Sequence, residues 1–229
     1  MKSVWMAVLA VLVIAGSVVG EEPVSLKSQK DKISYIIGLD IGNNLKRQSA
    51  DVDLDILLRG MKDSLSGTKP VLSENEIREV TTAFKQEMTK KQAEETKKLA
   101  EKNKKEGDAF LEENKKKEGV KTLPSGLQYK VITEGSGRSP KESDTVTVNY
   151  KGTFVDGTEF DSSYKRGEPA TFPVNGVIKG WVEALPLMKE GAKWQLFIPP
   201  GLAYGETGAG NAIGPNATLI FEVELISIK

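Results

Sequence analysis

The sequence predicts an α+β protein in which a C-terminal, curved antiparallel β-sheet wraps around a short helix, preceded by an all-α module and a long charged connecting helix. Three observations lead to this prediction. Apolar residues recur at helical spacing as far as residue 72, a proline-free and highly charged stretch continues to residue 118, and Gly, Pro and β-branched residues become frequent from residue 119 onward. A length of 229 residues accommodates two small domains and a linker.

Histidine and cysteine are both absent, which excludes the chemistry that depends on them. A Ser-His-Asp triad, a cysteine nucleophile, a disulfide and a zinc site built from His or Cys are all impossible. We therefore predict an activity without a cofactor or a metal ion. The 32 basic and 32 acidic residues cancel, so no global field attracts nucleic acid, and we expect no nucleic-acid partner.

Residues 1–20 have the features of a secretory signal peptide. Lys2 supplies the positive start, residues 4–15 are apolar, and Val18 and Gly20 are small enough for a cleavage site. The alternative is an uncleaved membrane anchor, but the apolar run is shorter than the ~20 residues that cross a bilayer. We predict a mature chain that begins near Glu21 in the periplasm or another extracytoplasmic compartment, and membrane contact only through the leader if it stays uncleaved.

Residues 21–72 predict a small helical module, with helices over 30–48 and 53–65 that are separated and ended by turn residues. About 50 residues are few for a self-sufficient core, yet the apolar residues are dense. Burial against a second copy would resolve this mismatch, so we interpret the segment as a dimerisation module. The alternative is that it packs against the rest of its own chain.

Residues 73–118 predict one long connecting helix. Ser73 and Glu76 match a capping box at its start. A single apolar stripe follows, consisting of Ile77, Val80, Phe84 and Met88. The stripe fades over residues 89–108, so we expect the first part of the helix to pack and the middle to stand in water as a spacer. With the preceding module, this pattern predicts a homodimer formed through residues 21–90.

Residues 119–229 predict the β-sheet domain. Strands are expected over 127–134, 145–154, 193–199 and 218–228, and the second and fourth show clear alternation of apolar and polar residues. One short helix is expected over 179–185, because Pro186 prevents its continuation.

Aromatic residues concentrate in this C-terminal segment, beside the glycine-rich stretch 201–214. Many aromatic side chains with a few polar groups are typical of a small apolar binding cleft. Trp194 and Phe197 are predicted to belong to the core and the sheet instead.

Other chemistries in the same segment are less well supported. The clustered glycines precede no predicted helix, which disfavours a phosphate-binding loop. Ser162 and Ser163 lack a base that could activate them. Asp156 and Asp161 could pair as acid and base, although an Asp-Gly turn already accounts for Asp156.

Several motifs, in a fixed order along the C-terminal segment, resemble those of a known family. They are VTVNYKG at 146–152, DGTEFDSS at 156–163, VIKGW at 177–181, IPP at 198–200, AYG at 203–205 and NATLIFEVEL at 216–225. Over residues 120–229 the chain resembles the FKBP-type peptidyl-prolyl cis-trans isomerases. The architecture of the first half resembles the macrophage infectivity potentiator subgroup of dimeric bacterial members.

The resemblance implies an antiparallel sheet around a short helix, and a pocket whose floor is Trp181. It implies that the walls and rim of the pocket come from Tyr150, Phe160, Val177, Ile178, Ile213 and Phe221. It implies catalytic importance for Asp161, Tyr204 and Tyr150, a role for the backbone N–H of Ile178, and binding of macrolide-type inhibitors. Ala170 and Ala209 stand where some members carry an aromatic residue and a histidine, and residues 172–177 are shortened, so substrate preference should differ.

We therefore predict an isomerase that acts on X-Pro bonds of unfolded or folding extracytoplasmic polypeptides. Rotation about an amide cuts no bond, so the reaction suits a chain without His or Cys. Asp161 would either disfavour the fully conjugated carbonyl oxygen or order Tyr150, and Tyr204 would hold a substrate carbonyl. The alternative is a chaperone or peptide-binding module that holds unfolded clients without essential turnover.

Overall fold

The computed structural model describes residues 25–229, so the predicted signal peptide lies outside the described residues. The chain divides into two compact units, with the division after Pro70. The described helices are α1 (Gln29–Arg47), α2 (Leu54–Ser66), α3 (Glu74–Asn114), α4 (Ser163–Arg166) and α5 (Lys179–Ala184). The strands are β1 (Val120–Thr122), β2 (Gln128–Thr133), β3 (Thr145–Phe154), β4 (Glu159–Ser162), β5 (Ala170–Pro173), β6 (Lys193–Ile198) and β7 (Leu219–Ile228).

The first unit contains the two helices that the sequence predicts. Ser28 and Asp31 form a capping box at the start of α1, and the carboxylate of Asp53 accepts hydrogen bonds from backbone N–H groups at the start of α2. Within the described chain, neither helix contains a buried residue. The apolar side chains of α1 and α2 therefore remain without a core of their own.

The long helix α3 has 41 residues and extends for about 60 Å at ~1.5 Å per residue. The predicted capping box is confirmed, because the Ser73 hydroxyl accepts from the Glu76 N–H and the Glu76 carboxylate accepts from the Ser73 N–H. The predicted spacer is only partly correct. Residues 89–98 are exposed, but from residue 99 the helix packs on the sheet domain, where Gly107 and Asn114 are buried.

The sheet has seven antiparallel strands in the order β1-β2-β6-β7-β3-β4, with β5 also paired to β3. The four predicted strands and the short helix are confirmed, and each of their ends lies within one residue of the predicted position. The sequence analysis missed β1, β4 and β5. These strands have three or four residues and too little alternation to be seen locally, because pairing with a neighbouring strand forms them.

The core lies between α5 and one face of the sheet. The predicted alternation is confirmed in β3, where Val146, Val148 and Tyr150 are buried, and in β7, where every second residue from Leu219 to Leu225 is buried. Trp194 and Phe197 are buried on β6, as predicted for core and sheet residues. The fold class predicted from the sequence is thus confirmed.

Over residues 25–229, every helix is either too short or too polar to cross a bilayer.

A core substitution should destabilise the sheet domain strongly. Leu196 on β6 is fully buried, so Leu196→Ala should lower the free energy of unfolding by about 2–5 kcal/mol through lost burial and a residual cavity. Ile132 on β2 is about half exposed, and Ile132→Ala should cost less than about 1 kcal/mol. Urea unfolding followed by tryptophan fluorescence measures both, and equal losses would contradict this account of the core.

Candidate functional site

One cavity of about 660 Å³ opens beside α5 on the face of the sheet that carries the core. It brings together all nine site residues named from the sequence: Tyr150, Phe160, Asp161, Val177, Ile178, Trp181, Tyr204, Ile213 and Phe221. Five further residues complete its lining: Phe172, Gly176, Ala203, Ala209 and Ala212. The pocket is therefore assembled from β3, β4, β5, α5, β7 and the loop before β7.

Trp181 forms the floor of the pocket because α5 presses it against the sheet, where it is 3% exposed. Its ring lies edge-to-face with Tyr150 at 5.5 Å, with Phe221 at 5.3 Å and with Phe172 at 6.1 Å between centroids. Such T-shaped contacts are favourable because the positive edge of one ring meets the negative face of another. The floor is thus a rigid aromatic surface with little polar character.

Gly152 on β3 makes room for two rings of the pocket wall. A Cβ atom at this position would lie 2.6 Å from the ring of Phe160 and 2.8 Å from the ring of Phe221. These two rings are T-shaped at 5.5 Å, and the bare glycine lets both approach the strand. The glycine in the VTVNYKG motif therefore has a steric function in the site.

A cluster of three polar side chains borders the apolar pocket. The Tyr150 hydroxyl donates to Asp161 at 2.5 Å, and Arg166 donates to Asp161 at 2.5 Å and to the Tyr150 oxygen at 2.7 Å. The Arg166 guanidinium also lies 5.3 Å from the centre of the Tyr150 ring. Each member of the cluster is thus oriented by the other two.

The same contacts set the charge of the cluster. Partial burial opposes the charge on Asp161, but hydrogen bonds from Tyr150 and Arg166 together outweigh it, so the pKa of Asp161 lies below its usual value. Burial raises the pKa of Tyr150, and the hydrogen bond to Asp161 raises it further. At neutral pH the cluster therefore consists of a carboxylate, a neutral phenol and a guanidinium.

Tyr204 lies at the mouth of the pocket, where it is 39% exposed. Within residues 25–229 its hydroxyl has no hydrogen-bond partner, unlike the hydroxyl of Tyr150. The Tyr204 hydroxyl is consequently available to a bound molecule.

The loop over residues 203–218 forms the remaining wall. Ile213 is buried against the pocket, and its backbone exchanges two hydrogen bonds with that of Ala209, at 2.8 and 3.1 Å. Ala209 thus lies in the wall itself, whereas Ala170 pairs with Val148 and packs at the edge of the core. Of the two departures from the family pattern, only the one at Ala209 changes the lining of the pocket.

Sequence reasoning missed Arg166 and did not assign Phe172 to the pocket. Arg166 lies on α4, a four-residue helix that the sequence analysis did not predict, and Phe172 lies on the missed strand β5. The one available signal was that Arg166 follows Asp161 closely in the sequence, which would have allowed the two side chains to pair. By contrast, the turn interpretation of Asp156 is confirmed, because its carboxylate accepts from the Thr158 N–H and lies outside this pocket.

The chain belongs to the FKBP-type peptidyl-prolyl cis-trans isomerases. Residues 136–226 match the family described by that name, and residues 30–131 match the domain amino terminal to FKBP-type peptidyl-prolyl isomerase. The resemblance read from the motifs is confirmed, and the chain is an enzyme of this class.

Particular relatives extend the similarity over both halves of the chain. The outer membrane protein MIP of Legionella longbeachae is 48% identical over 229 residues, which is 100% of this chain and 98% of the relative. The peptidyl-prolyl cis-trans isomerase Mip of Coxiella burnetii is 50% identical over 204 residues, covering 89% of each. The crystal structure of FkpA from Escherichia coli is 42% identical with a TM-score of 0.69, covering 90% of this chain and 99% of that one.

The electrostatics of the cluster can be tested by titration. Asp161 should titrate below its ordinary value of 3.8, and Arg166→Met should raise its pKa by removing the guanidinium. Asp156 serves as the control, because the backbone of Thr158 in its own turn lowers its pKa. Carboxyl-carbon NMR measures both groups in one sample, and equal shifts, or an unmoved Asp161, would contradict this origin.

The sign of the linked stability follows from the lowered pKa of Asp161. The carboxylate's contribution to folding is complete above the unfolded-state pKa, near 3.8, and is lost as the pH falls through the folded-state value.

Proposed function

We propose that the pocket above Trp181 is where this enzyme isomerises X-Pro bonds of unfolded or folding polypeptides. The observation that supports the proposal most strongly is the convergence of all nine predicted site residues on one cavity, although they come from β3, β4, α5 with the two residues before it, the loop before β7, and β7 itself. The cavity combines an aromatic floor with a short polar border, as expected for a site that accepts the apolar proline ring and orients the adjoining amide.

The reaction needs no proton transfer and no covalent intermediate. Resonance opposes rotation about the amide with a barrier of ~18–20 kcal/mol, and the uncatalysed reaction takes tens to hundreds of seconds. The planar amide is more polar than the twisted amide, so an apolar pocket destabilises the planar form more. A ten-thousandfold acceleration requires ~5.5 kcal/mol of such differential stabilisation. Desolvation of one polar group and one or two oriented hydrogen bonds supply that amount.

The contacts favour distinct roles for the polar residues. The Tyr204 hydroxyl holds a substrate carbonyl, and the backbone N–H of Ile178 at the start of α5 holds another. Tyr150 acts through its ring, because its hydroxyl is already engaged with Asp161. Asp161 orders Tyr150, and the nearby guanidinium weakens the field with which the carboxylate could act on the substrate oxygen. Macrolide-type inhibitors would compete with the proline ring for the same pocket.

The isomerase assay with short proline peptides tests these roles. Tyr204→Phe should raise KM by about 2- to 10-fold through the loss of one hydrogen bond, and Asp161→Ala should lower kcat by loosening Tyr150. Tyr164→Phe is the matched control, since Tyr164 is half exposed and lies outside the pocket. Identical kinetics for Tyr204→Phe and Tyr164→Phe would contradict the assignment.

The first unit supports a homodimer. Its helices bury no residue within the described chain, and Ile36, Leu54 and Ile56 are more than half exposed. A groove of about 710 Å³ on α2 is lined mainly by apolar side chains, Ile56 and Met61 among them. A second copy of the chain, contributing the same apolar helices, would bury these surfaces symmetrically.

A dimer would also suit the handling of unfolded clients. Two pockets on one particle can bind two prolines of the same chain, and the second binding event benefits from a raised local concentration. The protein would then hold clients as well as isomerise them. An extracytoplasmic location agrees with the leader-like residues 1–20 and with a cysteine-free chain that needs no response to an oxidising compartment.

Sedimentation of the mature chain tests the dimer. The wild type should sediment at twice the mass of one chain, and Ile56→Glu should shift it toward the single-chain mass by placing a charge in an apolar interface. Lys62→Glu alters the charge on the exposed surface of the same helix and should leave the dimer intact. A wild-type monomer, or a dimeric Ile56→Glu variant, would overturn the proposal.

A further inference from the structure

The single glycine of α3 marks a close approach between this helix and the sheet domain. A Cβ atom on Gly107 would lie 2.3 Å from the Thr218 Oγ1 atom, so any larger residue would push the helix away. Glycine in a helix interior costs about 0.5–1 kcal/mol relative to alanine, and the close packing explains its presence. Thr218 immediately precedes β7 and is buried. The C-terminal part of α3, residues 99–114, is therefore part of the sheet domain.

Asn103 connects this part of the helix to the C-terminal end of the loop over residues 203–218, which forms one wall of the pocket. Its side-chain amide donates to the Pro215 carbonyl at 2.8 Å. Asn103 is partly buried and Pro215 is buried. Gly214 also lies against the helix, because a Cβ there would be 3.1 Å from Leu99 and 3.2 Å from Asn103. Asn216, which follows Pro215, has a left-handed φ of 54° and donates its N–H to the Gly205 carbonyl, which closes the loop at its base.

The anchored base adjoins residues that line the pocket. Ile213 lies two residues before Pro215, and Ala212 precedes it; both line the cavity above Trp181. A second cavity of about 630 Å³ lies between α3 and this loop and is lined by residues of both. A shift of Pro215 would therefore be passed directly to Ile213.

We infer that Asn103 is a positioning residue for catalysis: by holding the Pro215 carbonyl, it sets the place of Ile213 in the wall of the proline pocket. Asn103 itself does not line the pocket. The connecting helix thus contributes to substrate affinity through the loop. This inference rests on the proposed function of the pocket.

The same helix carries a matched control in the contacts that it makes with β2 and β6. Asn114 donates to Gln128 at 3.0 Å, Gln128 donates to the Leu111 carbonyl at 2.9 Å, and Phe110 packs on Phe197 with 5.9 Å between ring centroids. None of these residues lines the pocket. Loss of the Asn114 bond should therefore lower stability without changing the pocket.

Steady-state isomerase kinetics of the full mature chain test the inference. Asn103→Ala should raise KM for a short proline peptide by about 2- to 10-fold with kcat within about twofold of wild type. Asn103→Gln, which keeps the amide donor, should restore part of the affinity. Asn114→Ala should lower Tm and leave KM unchanged. The backbone amide signal of Ile213 should shift in Asn103→Ala and stay in place in Asn114→Ala.

A fourth variant separates this inference from the proposed function. Ile213→Ala alters the pocket wall directly and should also raise KM. If Ile213→Ala raises KM while Asn103→Ala behaves like Asn114→Ala, Asn103 is merely structural and the inference is wrong. If neither Ile213→Ala nor Tyr204→Phe changes KM, the pocket itself is wrongly assigned and the proposed function is overturned.

Discussion

The structure of the catalytic domain depends on how one short helix fills the concave side of a seven-stranded sheet. Helix α5 has six residues, and it covers the sheet mainly through Trp181, Ala184 and the following Leu185. These side chains complete the core, yet so short a helix leaves the neighbouring part of the sheet uncovered. The aromatic rings of Tyr150 and Phe221 meet Trp181 edge-to-face at that border. The pocket therefore lies where the helix ends its cover of the sheet, with Trp181 as its floor and with strand and loop residues as its walls.

This origin explains how the site can act without histidine or cysteine. Amide rotation is accelerated by an environment that stabilises the twisted amide relative to the planar amide, and it requires no acid or base. The polar cluster of Asp161, Tyr150 and Arg166 is internally satisfied, so it orders the rim of the pocket and exposes little free charge to the apolar floor. The available hydroxyl of Tyr204 is then the principal polar group for orienting a substrate.

Features that local residue patterns encode could be predicted from the sequence. Features that form only through contacts between distant parts of the chain could not. Alternation identified β3 and β7, and a capping box identified the start of α3. The family resemblance located the nine predicted pocket residues, eight of which lie within the ordered motifs. Strand β5 is formed by pairing with β3, so Phe172 escaped assignment, and Arg166 escaped because the four-residue helix α4 is too short to leave a periodic pattern. The packing of α3 on the domain was also invisible, because Gly107 and the polar Asn103 make contacts that leave no apolar stripe.

The central claim is that the proline ring lies on Trp181. The indole N–H groups of Trp181 and Trp194 are both buried without a hydrogen-bond partner among residues 25–229, and only Trp181 lines the pocket, so Trp194 serves as the internal control. Intermolecular NOEs between an isotope-labelled enzyme and a saturating proline peptide measure the contact directly. The account predicts NOEs from the proline ring protons to the Trp181 indole and to the rings of Tyr150 and Phe221. Proline NOEs confined to residues outside this pocket would contradict it.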